Sequence, residues 1–174
     1  MSPNHGNEYD LRDLRVLVVD DSEFMLDLFA QVFENLGCRS IVKAENGKEA
    51  VDAINTVVEE DREDKLFDVV FSDWAMEPIN GLELLDWIRT HPNPEIRFTP
   101  FIMVSAYSTL DWVIEARDHG VSEFLTKPVS VKSLVSRLTS IIEKPRAFVK
   151  STSYFGPDRR RRNAGYSGPD RRKR

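Results

Sequence analysis

Five short apolar runs, each followed by a stretch of helical apolar spacing, leave this chain few ways to fold. The runs fall at about 14–19, 39–43, 67–72, 99–104 and 121–125. Strands apolar on nearly every residue are buried on both faces, and amphipathic helices between them supply the cover. The first helical stripe is Met25, Leu28, Phe29, Val32, Phe33 and Leu36, and the second is Ala50, Ala53, Ile54, Val57 and Val58. A third helix is expected at about Leu82–Arg89 and a fourth up to His119. The last carries Val131, Leu134, Val135, Leu138, Ile141 and Ile142 inward. Ser22, Asn46 with Glu49, Ser108 or Thr109, and Ser130 are placed to cap helix starts, and Gly37 and Gly120 to end helices. His91-Pro92-Asn93-Pro94 stops the third helix. The expectation is an α/β fold with a doubly wound, five-stranded parallel sheet, because a closed eight-fold barrel needs far more than 174 residues.

Four of the runs end on residues that can handle a phosphoryl group. Val16–Val19 leads to Asp20-Asp21, Val69–Ser72 to Asp73, Phe101–Val104 to Ser105, and Val121–Thr126 to Lys127-Pro128. In a parallel sheet those ends share one edge, where open α/β sheets bind ligands. Asp20-Asp21 alone could simply begin a helix, where acids are favoured. Three carboxylates within a few ångström repel one another, and a hard divalent cation resolves the conflict, so Mg²⁺ is the expected cofactor. Asp73 is the candidate nucleophile, since carboxylates form acyl phosphates. The Lys127 ammonium would neutralise a phosphoryl oxygen. Ser105 can donate to another oxygen or act as a helix-capping serine.

Charge divides the chain. Residues 1–143 hold 27 acids and 13 bases, and residues 144–174 hold two acids and 11 bases, so an acidic globule carries a basic tail. Residues 1–11 read as a flexible start, 12–143 as the folded domain, and 144–174 as a tail disordered when free. The tail repeats Tyr-x-Gly-Pro-Asp-Arg-Arg, at Tyr154–Arg160 and again at Tyr166–Arg172. It could be passive, dock on an acidic partner or back on the domain, or bind nucleic acid or an anionic membrane through its arginines, Tyr154, Phe155 and Tyr166. One cysteine, Cys38, excludes an internal disulfide framework and points to a reducing, cytoplasmic setting. His5, His91 and His119 lack zinc-ligand spacing. No run approaches a transmembrane span, and the start has no signal-peptide pattern.

Val-Leu-Val-Val-Asp20-Asp21, Asp73-Trp-Ala-Met-Glu-Pro-Ile-Asn-Gly81, Met-Val-Ser105-Ala106 and Phe124-Leu-Thr-Lys127-Pro128, in that order, resemble the receiver domains of two-component response regulators over about residues 12–143. The resemblance implies a flavodoxin-like (βα)5 fold. It implies Asp73 as acceptor of a phosphoryl group from a sensor histidine kinase or histidine phosphotransfer protein. It also implies Asp20 and Asp21 as Mg²⁺ residues with the Ala75 backbone carbonyl as a further ligand, Lys127 as phosphate-binding lysine, and Ser105 with Phe124 as switch pair. Ala75 and Tyr107 match positions that tune dephosphorylation, and neither helps an attacking water, so slow self-dephosphorylation is expected. The proline after Asp73 lies one place later than usual, the segment at 59–65 is longer, and the switch aromatic lacks a phenol.

The expected function is a phosphoacceptor switch that signals through contacts with a downstream protein, and not a turnover enzyme, since no general base or substrate pocket stands out. The competing class is a nucleic-acid-binding regulator whose tail is the effector, gated by the receiver. With Leu110, Val113 and Ile114 inward, Trp112 is expected to project outward as an interface anchor.

Overall fold

The computed structural model describes residues 11–59, 66–107 and 109–159. Seven strands and six helices follow in order: β1 (Arg15–Val19), α1 (Glu23–Asn35), β2 (Ser40–Ala44), α2 (Gly47–Glu59), β3 (Val69–Asp73), α3 (Gly81–Thr90), α4 (Pro94–Arg97), β4 (Phe101–Ser105), α5 (Leu110–Asp118), β5 (Glu123–Thr126), α6 (Val131–Glu143), β6 (Phe148–Lys150) and β7 (Phe155–Pro157). The first five strands form one sheet in the order β2-β1-β3-β4-β5, every pair parallel. The strand order reverses direction at β1 and β3, which makes the crevice beyond their carboxyl ends the ligand-binding position of an open sheet.

Alternation along the buried strands divides the core in two. Val16, Val18, Val69, Phe71, Ile102 and Val104 face α1 and α6, meeting Leu26, Phe29, Phe33, Leu134 and Leu138. Leu17, Val19, Val70, Phe101 and Met103 face the other way, against α2, α3, α4 and α5. On the first side the Phe33 and Phe71 rings meet edge to face at 5.1 Å. Each such buried large side chain contributes about 1.5–3 kcal/mol. Leu11 is buried in this same core, so the flexible start does not extend to that residue.

The caps follow the sequence. Ser22 accepts from the Met25 amide, Asn46 from the Glu49 amide, and Ser130 from the Ser133 amide. Gly37 and Gly120 both adopt φ 90°, the left-handed region open to glycine. The α5 cap is different: Thr109 occupies the N-cap position without a side-chain hydrogen bond, and Ser108 lies outside the described residues. The short helix α4 appears where only a stop was expected, because Asn93 caps it and Pro94 fits its first turn. Among the described residues no helix is long and apolar enough to cross a membrane.

Residues 144–159 correct the expectation of a disordered tail. There β6 and β7 pair antiparallel, with Phe148 opposite Pro157, and pack on the amino-terminal edge of the sheet. Phe148 and Phe155 close an aromatic cluster with Phe98, at centroid distances of 4.9, 5.1 and 5.5 Å. The segment is poor in apolar residues, but its two phenylalanines meet an exposed one already on the domain. Gly156 lies against Gly120, where a Cβ would come within 2.6 Å of the Gly120 Cα. Arg146 donates to the Ser122 carbonyl and Arg159 pairs with Asp118 at 3.2 Å. The repeat's second copy, Tyr166–Arg172, lies outside the described residues, as do 60–65 of the charged loop.

Candidate functional site

The carboxyl ends of β1, β3, β4 and β5 bring the expected residues to one rim. Asp20 and Asp21 follow β1, Asp73 ends β3, Ser105 ends β4, and Lys127 follows β5. One carboxylate oxygen from each of Asp20, Asp21 and Asp73 lies within 4.8 Å of the others. Asp20 and Asp73 are buried, at 1% and 7% exposure, whereas Asp21 is open to solvent. Lys127 Nζ reaches Asp20 Oδ2 at 2.8 Å and Asp73 Oδ1 at 3.0 Å. Asp20 Oδ1 also accepts the Ser22 amide at 3.0 Å.

Electrostatics at the rim are unbalanced. Burial pushes the Asp73 carboxyl up, and the Asp20 charge adds to this against the opposing pull of Lys127 and the Trp74 amide. Burial alone would lower Lys127, but its hydrogen bonds to Asp20 and Asp73 outweigh that and raise it. Three carboxylates face one ammonium, a deficit of positive charge that a small oxygen-seeking cation fits. The donor set is therefore consistent with a bound divalent metal.

Local backbone geometry holds Asp73 in place. Its neighbour Trp74 donates a backbone hydrogen bond to Val104 at 3.1 Å and accepts one from Gly81 at 2.9 Å. A Cβ at Gly81 would collide with the Asp73 carbonyl oxygen, so the α3 start presses directly on the Asp73 peptide. Asn80 caps α3 in a box with Glu83, and the Gly47 amide donates to Ile79 at 3.1 Å, fixing the intervening loop to α2. The peptide bonds Glu77–Pro78 and Lys127–Pro128 are both cis.

The remaining expected residues fall around this rim. Ser105 is wholly buried, with Oγ accepting the Tyr107 amide at 3.0 Å. Phe124 is half-buried on β5, in register with Met103. Ala75 is exposed just beyond Asp73, and Tyr107 is 54% exposed. Trp112 corrects its expectation. It is half-buried, edge to face with Trp74 at 4.7 Å and stacked under Tyr107 at 5.3 Å, while Leu110 is 72% exposed. Two aromatics flanking Asp73 and Ser105 draw the indole in more strongly than the apolar stripe of α5 predicted. Sequence reading also passed over Trp74 and the buried Arg89, which looks there like an ordinary basic residue in a helix's last turn.

Known proteins resemble this chain throughout the sheet and the rim. The response regulator receiver domain family matches residues 16–139. Chemotaxis protein CheY-3 of Vibrio cholerae is 28% identical over 133 residues, covering 76% of this chain and 95% of that protein. Chemotaxis protein CheY of Pseudomonas aeruginosa is 26% identical, covering 75% and 98%. Among solved structures, the receiver domain of the Arabidopsis thaliana histidine kinase CKI1, complexed with Mg²⁺ and BeF3⁻, superposes with TM-score 0.66 at 28% identity, covering 79% of this chain and 95% of that one. A chain of the CheX-CheY-BeF3-Mg²⁺ complex of Borrelia burgdorferi gives 0.64 at 26% identity, covering 74% of this chain and 89% of that one.

Proposed function

The chain belongs to the response regulator receiver domain family, and on that premise we propose that it accepts a phosphoryl group on Asp73 from a phosphohistidine and signals by protein contacts. The single observation that carries this is the placement of a buried carboxylate within 3.0 Å of Lys127 and beside two further carboxylates at the sheet's switch point. The donor is a sensor histidine kinase or a histidine phosphotransfer protein. An Asp73 carboxylate oxygen attacks phosphorus, the P–N bond breaks, and the electron pair leaves with the imidazole. Water later cleaves the acyl phosphate.

Asp20, Asp21 and Asp73, with the Ala75 carbonyl, would hold Mg²⁺, which when bound supplies charge neutralisation for the phosphoryl oxygens. The Lys127 ammonium neutralises another oxygen, and the Ser105 hydroxyl donates to a third. The acyl phosphate carries about two negative charges where the carboxylate carried one, so phosphorylation adds about one negative charge and three acceptor oxygens at the rim. Ser105 moves toward them, and Phe124 turns into the space that it leaves. Ala75 offers no side chain to orient water and Tyr107 stands beside Ser105, so the phosphorylated form is long-lived. The ordered hairpin supports a domain-bound role for residues 148–159, whereas the nucleic-acid reading rests on the basic residues beyond them.

The test is acetyl phosphate with Mg²⁺ on the full chain, read by intact mass. Wild type is expected to gain one phosphoryl group that decays slowly, and Asp73→Asn none. Equal labelling of the two proteins, or sustained multiple turnover, rejects the proposal.

A further inference from the structure

The Ser105 hydroxyl accepts the Tyr107 amide hydrogen at 3.0 Å. A hydroxyl oriented by an incoming donor keeps its own proton for another acceptor, so the Tyr107 peptide decides where the Ser105 O–H points. Tyr107 itself lies outside any helix or strand, with a ring 54% exposed. Its ring is held by stacking on Trp112, at 5.3 Å between centroids and 21° between planes. Trp112 in turn meets Trp74 edge to face, at 4.7 Å and 87°. Trp74 follows Asp73 directly in sequence, is 7% exposed, and its amide is bonded to Val104, the neighbour of Ser105. These contacts close a circuit from the acceptor through three aromatic rings to the hydroxyl. Trp112 alone stands on a helix, and it bridges the segments that follow β3 and β4.

We propose that Trp112 is a positioning residue for phosphoryl transfer: braced edge to face on Trp74 and stacked on Tyr107, it keeps the Tyr107 amide on Ser105 and so presents the Ser105 proton to the phosphoryl oxygen. This rests on Asp73 being the acceptor. Aromatic pairs of this kind act modestly, so the brace sets a rate and does not decide whether reaction occurs.

A double-mutant cycle tests it, using initial labelling rates of the full chain with acetyl phosphate and excess Mg²⁺. Trp112→Ala is expected to slow labelling about three- to ten-fold. Once Ser105→Ala has removed the hydroxyl, the same change should do almost nothing. Trp112→Phe, which keeps a ring for Tyr107 to stack on, should restore most of the rate. Equal slowing with and without the Ser105 hydroxyl would mean that Trp112 merely packs, and overturns the proposal, as does no slowing at all. Should Trp112→Ala not fold, Tyr107→Ala removes the exposed ring without opening the core and enters the same cycle with the same outcomes. A wild type that takes no phosphoryl group, or labels equally as Asp73→Asn, brings down the acceptor assignment and the brace with it. Labelling of wild type with an additive cycle rejects the brace alone.

Discussion

Two cationic side chains are drawn into this protein at opposite edges of one sheet, and they are held in contrasting ways. At the carboxyl edge, Lys127 rests between the carboxylates of Asp20 and Asp73, which raise it against the opposing effect of burial. At the amino edge, Arg89 donates to the carbonyls of Gly120, Arg97 and Thr99 at 2.8–3.0 Å and to Ser122 Oγ at 3.5 Å, beneath the Phe148 ring. No carboxylate among the described residues pairs with it, and burial pulls the guanidinium down to about 9. Neutral dipoles alone receive Arg89's four hydrogen bonds, and no opposite charge among the described residues balances it. Full charges hold Lys127 and outnumber it, so its edge keeps an appetite for further positive charge. The first arrangement fixes structure, and the second stays open to chemistry.

The comparison breaks most visibly at Lys127. Lys127→Ala should lower the labelling rate per folded molecule about 10²–10³-fold, the usual loss when one charge-stabilising donor is removed, and should also lower stability in urea, because Asp20 and Asp73 lose their cation. Arg89→Met should act on stability alone. Carbonyls left without donors cost about 1–3 kcal/mol each, partly offset by no longer burying a charge, so an unfolding loss of about 2–4 kcal/mol is expected with labelling per folded molecule unchanged. Magnesium sharpens the contrast, since only the carboxyl edge should take it. At about a hundred times its dissociation constant the ion should stabilise wild type by about 2.7 kcal/mol, in a thermal melt with and without chelator, and Asp21→Asn should lose most of that gain. Gly156→Ala is the smallest test. Its methyl would press on Gly120 and on the Tyr154 hydroxyl at 2.6 and 2.7 Å, loosening the hairpin at a cost of about 1–3 kcal/mol. Hydrogen exchange should then rise across 148–157 and stay constant at β3.

How legible each edge was follows from the same contrast. The carboxyl edge is written in short motifs at strand ends: Asp20-Asp21, Asp73, Ser105 and Lys127 each sit where a short, mostly apolar run stops, and a parallel sheet must gather them. The amino edge has no such grammar. Arg89 lies in a helix whose apolar spacing says nothing of its being 4% exposed, and Phe148 and Phe155 are isolated aromatics in a basic, glycine- and proline-bearing stretch. Their partners, Phe98 and Gly120, become a docking surface only after the fold exists. Trp112 failed differently. The stripe expected on α5 does not turn wholly inward, since Leu110 is 72% exposed, and the rings of Trp74 and Tyr107 arrive from two loops that no helical periodicity encodes.

The glycine that opens α3 gives Asp73 a stiff flank. Because position 81 touches the Asp73 carbonyl with no space for a side chain, α3 cannot slide or pivot without dragging the aspartate's peptide along. On the proposed role of Asp73, rearrangement on phosphorylation is spent on the opposite flank, where Tyr107 is half in water and the Ser105 hydroxyl accepts the Tyr107 amide. The surroundings of Asp73 are in that sense stiff on the α3 side and freer on the side of β4 and α5.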